Sequence, residues 1–211
     1  MRRNFSLAVI GLVLLLTAES SDARPAETLN LNEFITAESL DAGLTQAGVH
    51  LTLGERYQSY YPSFRYGLGG LFEVGARAGI VTAGTSNDSK VGALVGADIK
   101  FQLVKQTEGI PVDMAVDLGF DTNFVNSRNV SDLRFSTIFS RAFPLTERGY
   151  KATPYGGLEL SILNGSYFNE RETDYYILGG LEWKFTQKSM LYLEVKTGDH
   201  TLGGFGVRFE Y

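Results

Sequence analysis

From Val91 to Leu103 every second side chain is apolar. Val91, Ala93, Val95, Ala97, Ile99, Phe101 and Leu103 fall on one face of an extended chain, and Gly92, Leu94, Gly96, Asp98, Lys100 and Gln102 fall on the other. Successive side chains of a strand point to opposite sides, so a period of two marks a strand whose two faces meet different surroundings. No helix accommodates it. The next segment repeats the pattern, with Val112, Met114, Val116, Leu118 and Phe120 opposed by Asp113, Ala115, Asp117, Gly119 and Asp121. Earlier, Ala47, Val49, Leu51 and Leu53 oppose Gln46, Gly48, His50 and Thr52, and Phe72, Val74, Ala76, Ala78 and Ile80 oppose Glu73, Gly75, Arg77 and Gly79. Further alternating runs surround Phe64, Phe135, Leu160, Ile177, Leu193 and Val207. The total is about ten strands of roughly 8 to 13 residues, the length a tilted strand needs to cross a bilayer. The expected fold is all-β, an antiparallel up-and-down barrel from Gly43 to Tyr211, with eight strands as the alternative count.

Alternation alone does not separate a soluble barrel from a transmembrane one, because both alternate. The less apolar face decides. It is rich in glycine, including Gly75, Gly79, Gly92, Gly96, Gly157, Gly180, Gly204 and Gly206, and it carries charges of both signs. Glycine makes poor solvent-facing strand surface but suits a crowded interior crossed by long side chains. Phe72, Phe101, Phe143, Trp183 and Phe185 fall on the apolar face at one end of their strands, where they read as an interfacial girdle. Tyr57, Tyr60, Tyr61, Phe64, Phe120 and Tyr175 are expected near the other edge.

The start of the chain fits export. Met1-Arg2-Arg3-Asn4 is positively charged, Leu7 to Thr17 is an almost unbroken apolar run, and Ser21-Asp22-Ala23 offers a small-x-small cleavage site. Residues 1–23 read as a cleavable signal peptide, the apolar run being too short for a spanning helix. Arg24 to Ala42 is polar with no clean period and reads as a loose periplasmic segment, which the fold also allows to tuck into the barrel mouth as a partial plug. The final strand places Phe205, Val207, Phe209 and Tyr211 on one face and ends in an aromatic residue. It resembles the C-terminal signal by which Gram-negative outer-membrane β-barrel proteins are recognised for assembly. That resemblance implies a bacterial outer-membrane location, and as partners the lipid, periplasmic chaperones and the barrel-assembly machinery. A net charge of −5 with no basic tract argues against nucleic acid as a partner.

The inward face supplies the candidate lumen lining: His50, Arg77, Asp98, Lys100, Asp117, Glu159, Glu182, Glu194 and Arg208. Interleaved charges in a narrow barrel pair across it, because an unpaired buried ion is costly. The bland expectation is a structural salt-bridge network; the functional one is a narrow polar passage for small solutes, its acidic balance favouring cations. Connections near 57–62, 83–90, 121–131 and 163–174 read as long outer loops, and those near 68–70, 104–110, 144–149 and 186–190 as mostly tighter inner turns. The outer segments Phe124 to Ser131 and Asn164 to Asp174, carrying Phe124, Tyr167 and Phe168, would suit a second function, surface binding or adhesion to a ligand the sequence does not name. Catalysis has little support. Asp199-His200 resembles the Asp–His pairs of ten-stranded outer-membrane proteases, but those chains are longer and no matching aspartate pair faces it here. With no cysteine and no histidine cluster, neither a metal site nor a cofactor is expected.

Overall fold

The alternating runs become ten long strands that close into a ring in a computed structural model, which describes residues 34–54, 57–84, 89–126, 128–145, 150–165, 171–198 and 200–211. The candidate signal peptide lies outside the described residues. The strands are β1 (Thr45–Gly54), β2 (Tyr57–Gly69), β3 (Phe72–Ala83), β4 (Lys90–Val104), β5 (Asp113–Val125), β6 (Arg128–Ser140), β8 (Lys151–Gly165), β9 (Glu172–Lys184), β10 (Ser189–Gly198) and β11 (Thr201–Glu210). A two-residue strand, β7 (Phe143–Pro144), pairs with the start of β8. Every long strand runs antiparallel to its neighbours. β6 pairs directly with β8, and β1 closes the ring on β11 in a register from Gln46↔Glu210 to Gly54↔Leu202. Among the described residues each long strand is paired on both sides, which leaves none of them an open edge to recruit another chain.

Thr45 and Tyr211 exchange backbone hydrogen bonds, so the chain enters and leaves the ring at one rim, here the near rim. Burial alternates with the register. Val49, Leu158 and Ile177 are 61–62 % exposed, whereas their neighbours His50, Glu159 and Tyr176 are 2–4 % exposed. The apolar face therefore points out of the ring and the charged face into it, the reverse of a soluble barrel.

The connections differ from expectation. β2 begins at Tyr57, so 57–62 is strand and the β1–β2 connection spans only residues 55–56. Pro62 lies within β2, where its pairing with β3 lapses between Tyr60↔Ile80 and Ser63↔Arg77, a gap that suits a residue with no N–H. The expected loop at 121–131 is likewise mostly strand, with a break only at 126–127, where Asn126 adopts φ 50°. Far-rim connections span 55–56, 84–89, 126–127, 166–171 and 199–200, while near-rim ones span 70–71, 105–112, 141–150 and 185–188. The longest are thus at the near rim, and the expected division into long outer loops and short inner turns is absent.

The described part of the N-terminal segment, 34–42, is drawn into the ring. Phe34 and Ala37 are fully buried, and Ile35 is 2 % exposed. The chain passes from Phe34, beside His50 halfway along β1, down to a turn at Gly43 and into β1. Gly67 makes room for it: a Cβ there would stand 2.2 Å from the Asp41 carbonyl oxygen. The segment is a plug.

Candidate functional site

On the β2–β6 wall the inward charges form one alternating chain. Lys100 Nζ lies 3.0 Å from Glu73, whose other oxygen pairs with Arg65 Nε. Arg65 Nη2 reaches Asp98 Oδ2 at 2.6 Å, and Asp98 Oδ1 lies 3.7 Å from Arg77 Nη1. Arg77 clasps Asp121 through Nε at 2.6 Å and Nη2 at 2.9 Å, and Asp121 also pairs with Arg134 at 2.8 Å. Seven residues of alternating sign thus climb five neighbouring strands. Two-pronged arginine–carboxylate contacts of this kind fix geometry as well as charge.

Glycine makes that chain possible. Gly96 faces both Arg77 and Asp121 in the register, and a Cβ on it would stand 1.7 Å from Asp121 Oδ1. A Cβ on Gly75 would meet Asp98 Oδ1 at 2.6 Å, and one on Gly206 would meet His50 Nδ1 at 2.0 Å. Each long polar side chain lies flat across a glycine of the adjoining strand.

The β8–β11 wall uses tyrosine rather than arginine. Tyr155 donates to Glu194 at 2.8 Å, and Tyr192 donates to Glu182 at 2.6 Å. The Arg208 guanidinium lies 4.6 Å from the Tyr192 ring centroid, and Lys196 pairs with Glu159. Arg208 Nε also approaches His50 Nε2 at 3.4 Å; since an arginine N–H only donates, that nitrogen accepts, and the Ser63 hydroxyl 2.7 Å away donates to it as well.

His50, Arg77, Asp98, Lys100, Asp117, Glu159, Glu182, Glu194 and Arg208 all lie on the inward face. Asp121, Asp132 and Asp174 are buried beside them, outside the expected lining: Asp121, though on the inward parity of its run, and Asp174 fall at the ends of stretches read as outer loops, and Asp132 directly follows one. Tyr57 and Tyr61 also face inward rather than joining an outer aromatic edge. Toward the far rim the inward face mixes apolar side chains, with Val81, Leu94, Val125, Val130, Leu163 and Leu202 buried, and polar ones, with Thr52, Ser59, Asn123, Asp132 and Asp174 buried among them. At the near rim a cavity of about 190 Å³ remains between the plug and the wall, bordered by Lys105, Lys151, Glu182, Lys184, Arg208 and Glu210.

Outside, Phe72 stacks on Phe101 with centroids 4.6 Å apart, Trp183 meets Phe185 edge-on at 6.0 Å, and Arg141 covers Phe143. All five aromatics sit at near-rim strand ends. Phe205 and Phe209, both about half exposed, point outward on β11, as Val207 does between them; Tyr211 follows, also exposed. A charged, filled interior inside an apolar, aromatic-rimmed exterior has one compatible solvent, a lipid bilayer.

The chain is a ten-stranded transmembrane β-barrel. No family model and no curated protein matches its sequence. Solved structures similar to it include the N-terminal β-barrel domain of Pseudomonas aeruginosa OprF, at 13 % identity and TM-score 0.40 over 82 % of this chain and 100 % of that one. The translocator domain of the autotransporter NalP from Neisseria meningitidis matches at 10 % identity and TM-score 0.48, over 82 % of this chain and 90 % of that one. KdgM porin matches at 12 % identity and TM-score 0.38, over 78 % and 98 %. The assignment rests on the barrel's own distribution of charge and apolar surface.

His50 is engaged with Phe34, Tyr61, Ser63 and Arg208, and Asp199 lies outside the described residues. Among the described residues no cluster of metal-ligating side chains occurs.

Proposed function

We propose that this protein is an integral barrel of a bacterial outer membrane, exported by its signal peptide, whose lumen is shut in the resting state and whose role is structural or that of a gated, narrow cation path. The observation that carries this reading is the plug. Residues 34–40 occupy much of the near half of the lumen, the ion-pair chain lines the β2–β6 side, and buried apolar and polar side chains crowd the far end. An even number of strands puts both ends of the barrel at one rim; the export signal expected ahead of β1 places that rim on the periplasmic side in this proposal, with β11 as the strand read by the assembly machinery. Planar-bilayer recording of the full chain tests the proposal. Silence at low voltage, with rare cation-selective openings at high voltage, is expected; steady conductance or anion preference overturns it.

Surface binding through the far-rim loops has lost much of its support. Phe124 is an outward strand residue and the connection beside it is two residues long. In the other candidate segment, Asn164, Gly165 and Glu172 to Asp174 belong to strands, while Tyr167 and Phe168 lie outside the described residues.

A further inference from the structure

The wall holds the plug mainly by its backbone. Glu194 accepts from the Phe34 amide at 2.8 Å, Ser140 Oγ from Ala37 at 3.1 Å, Gln102 Oε1 from Ser39 at 3.1 Å and Glu73 from Leu40 at 3.0 Å. Lys100 Nζ donates to the carbonyls of Thr36 and Glu38 at 2.9 and 2.8 Å. These six contacts arise from five wall residues on four different strands, and all six are made to backbone atoms of the segment. Side chains add few polar anchors, but Phe34, Ile35, Thr36 and Ala37 are all buried. Glu38 pairs with Lys151 near the rim, and the Ser39 hydroxyl donates to the Leu71 carbonyl at 3.3 Å. Phe34 stacks on His50 at 4.9 Å and rests against Gly204, where a Cβ would come within 2.5 Å of its ring.

We infer that the lumen is a binding site for an extended polypeptide, occupied in cis by residues 34–40, with a pocket beside His50 for one aromatic side chain, buried positions for the three residues after it and little preference at the more exposed positions 38 and 39. The ligand class is a short unfolded peptide that carries an aromatic residue followed by apolar or small ones and enters from the near rim. Glu73, Gln102, Ser140 and Glu194 read its amides, and Lys100 reads its carbonyls. Four amide acceptors of fixed position favour one chain direction, with the aromatic end innermost. The inference rests on the geometry of the plug and not on whether the barrel conducts.

The test uses the full chain with a protease site inserted between Ala42 and Gly43, cut after refolding, with barrel integrity followed by heat-modifiable electrophoretic mobility. A fluorescent peptide of residues 34–42 is expected to displace the cut segment. A peptide that keeps Phe34 to Ala37 and Leu40 but shuffles the side chains at 38, 39, 41 and 42 should bind within about threefold, whereas N-methylation at Ala37, Ser39 or Leu40 should weaken binding at least about tenfold. Failure of the unmodified peptide to displace, failure of the shuffled one to bind, or full binding of the N-methylated ones overturns the inference. Should the insertion prevent folding, the uncut chain carrying Ala37→Cys answers the same question. The tethered segment competes at an effective concentration of about 1 mM, so millimolar peptide must speed maleimide labelling of that position, and labelling indifferent to peptide counts against the site. A barrel that conducts steadily would overturn the proposed resting closure while leaving these outcomes unchanged.

Discussion

Arg77 is the third of the four cations in the chain, held between Asp98 and Asp121, and all three are nearly inaccessible. Removing one partner from a buried ion pair strands the other, which costs more than the pair itself contributes. Arg77→Met is therefore expected to destabilise the barrel by about 3–5 kcal/mol in urea titrations from lipid vesicles. Adding Asp121→Asn should recover part of that loss, and a strictly additive double variant would show that the two do not act as a pair. Gly96→Ala attacks the same place from the opposite strand, since its Cβ would overlap the Asp121 carboxylate. The glycine-with-charge pattern is visible in the sequence because a glycine faces a long polar side chain across the strand boundary. The particular partners are not, because they depend on register, which is a property of two strands at once.

Among the elements, the central parts of β4, β5 and β11 are legible from the chain because lipid and lumen impose opposite demands on alternate residues. Their ends are less so. At Asp121, Thr122 and Asn123 three successive residues are polar and all are buried, Thr122 meeting Ser131 across the rim, so alternation vanishes where both faces are polar. The plug is open in the sequence only as one of two readings of residues 24–42: it buries Phe34, Ile35 and Ala37, but a short segment held largely through its backbone shows no clean period. It is nevertheless fragile at Gly67, where any side chain strikes the Asp41 and Leu40 carbonyls. Gly67→Ala is expected to loosen the segment and raise maleimide labelling of Ala37→Cys by roughly tenfold or more, through a local opening that leaves the ring intact. Because the natural chain has no cysteine, the label reports this one position. On β11, Phe209→Ser combined with Tyr211→Ser should reduce the heat-modifiable fraction recovered in outer membranes without changing how the purified chain refolds into detergent; normal recovery would remove the terminal strand from the assembly step.

For the whole molecule the decisive property is which solvent touches the outside. Val95 lies mid-strand on β4 and is about half exposed. Val95→Arg should cost about 2–4 kcal/mol in bilayers, as expected for a charge near the midplane, and a change near zero would mean that this surface does not meet lipid. Closure has a further consequence, one of timing. Gln46 and Glu210, 164 residues apart, must meet before the seam between β1 and β11 exists, and contacts so distant along the chain form slowly. Until then two strand edges stand open and the lumen is a trough rather than a tube. Residues 34–41, which precede β1, can lie down in the trough sideways; once the seam zips, the only way in or out is lengthwise through a rim. The last pairing to form therefore converts an ordinary contact into a threaded one, whose lifetime is set by sliding rather than by the strength of its hydrogen bonds alone.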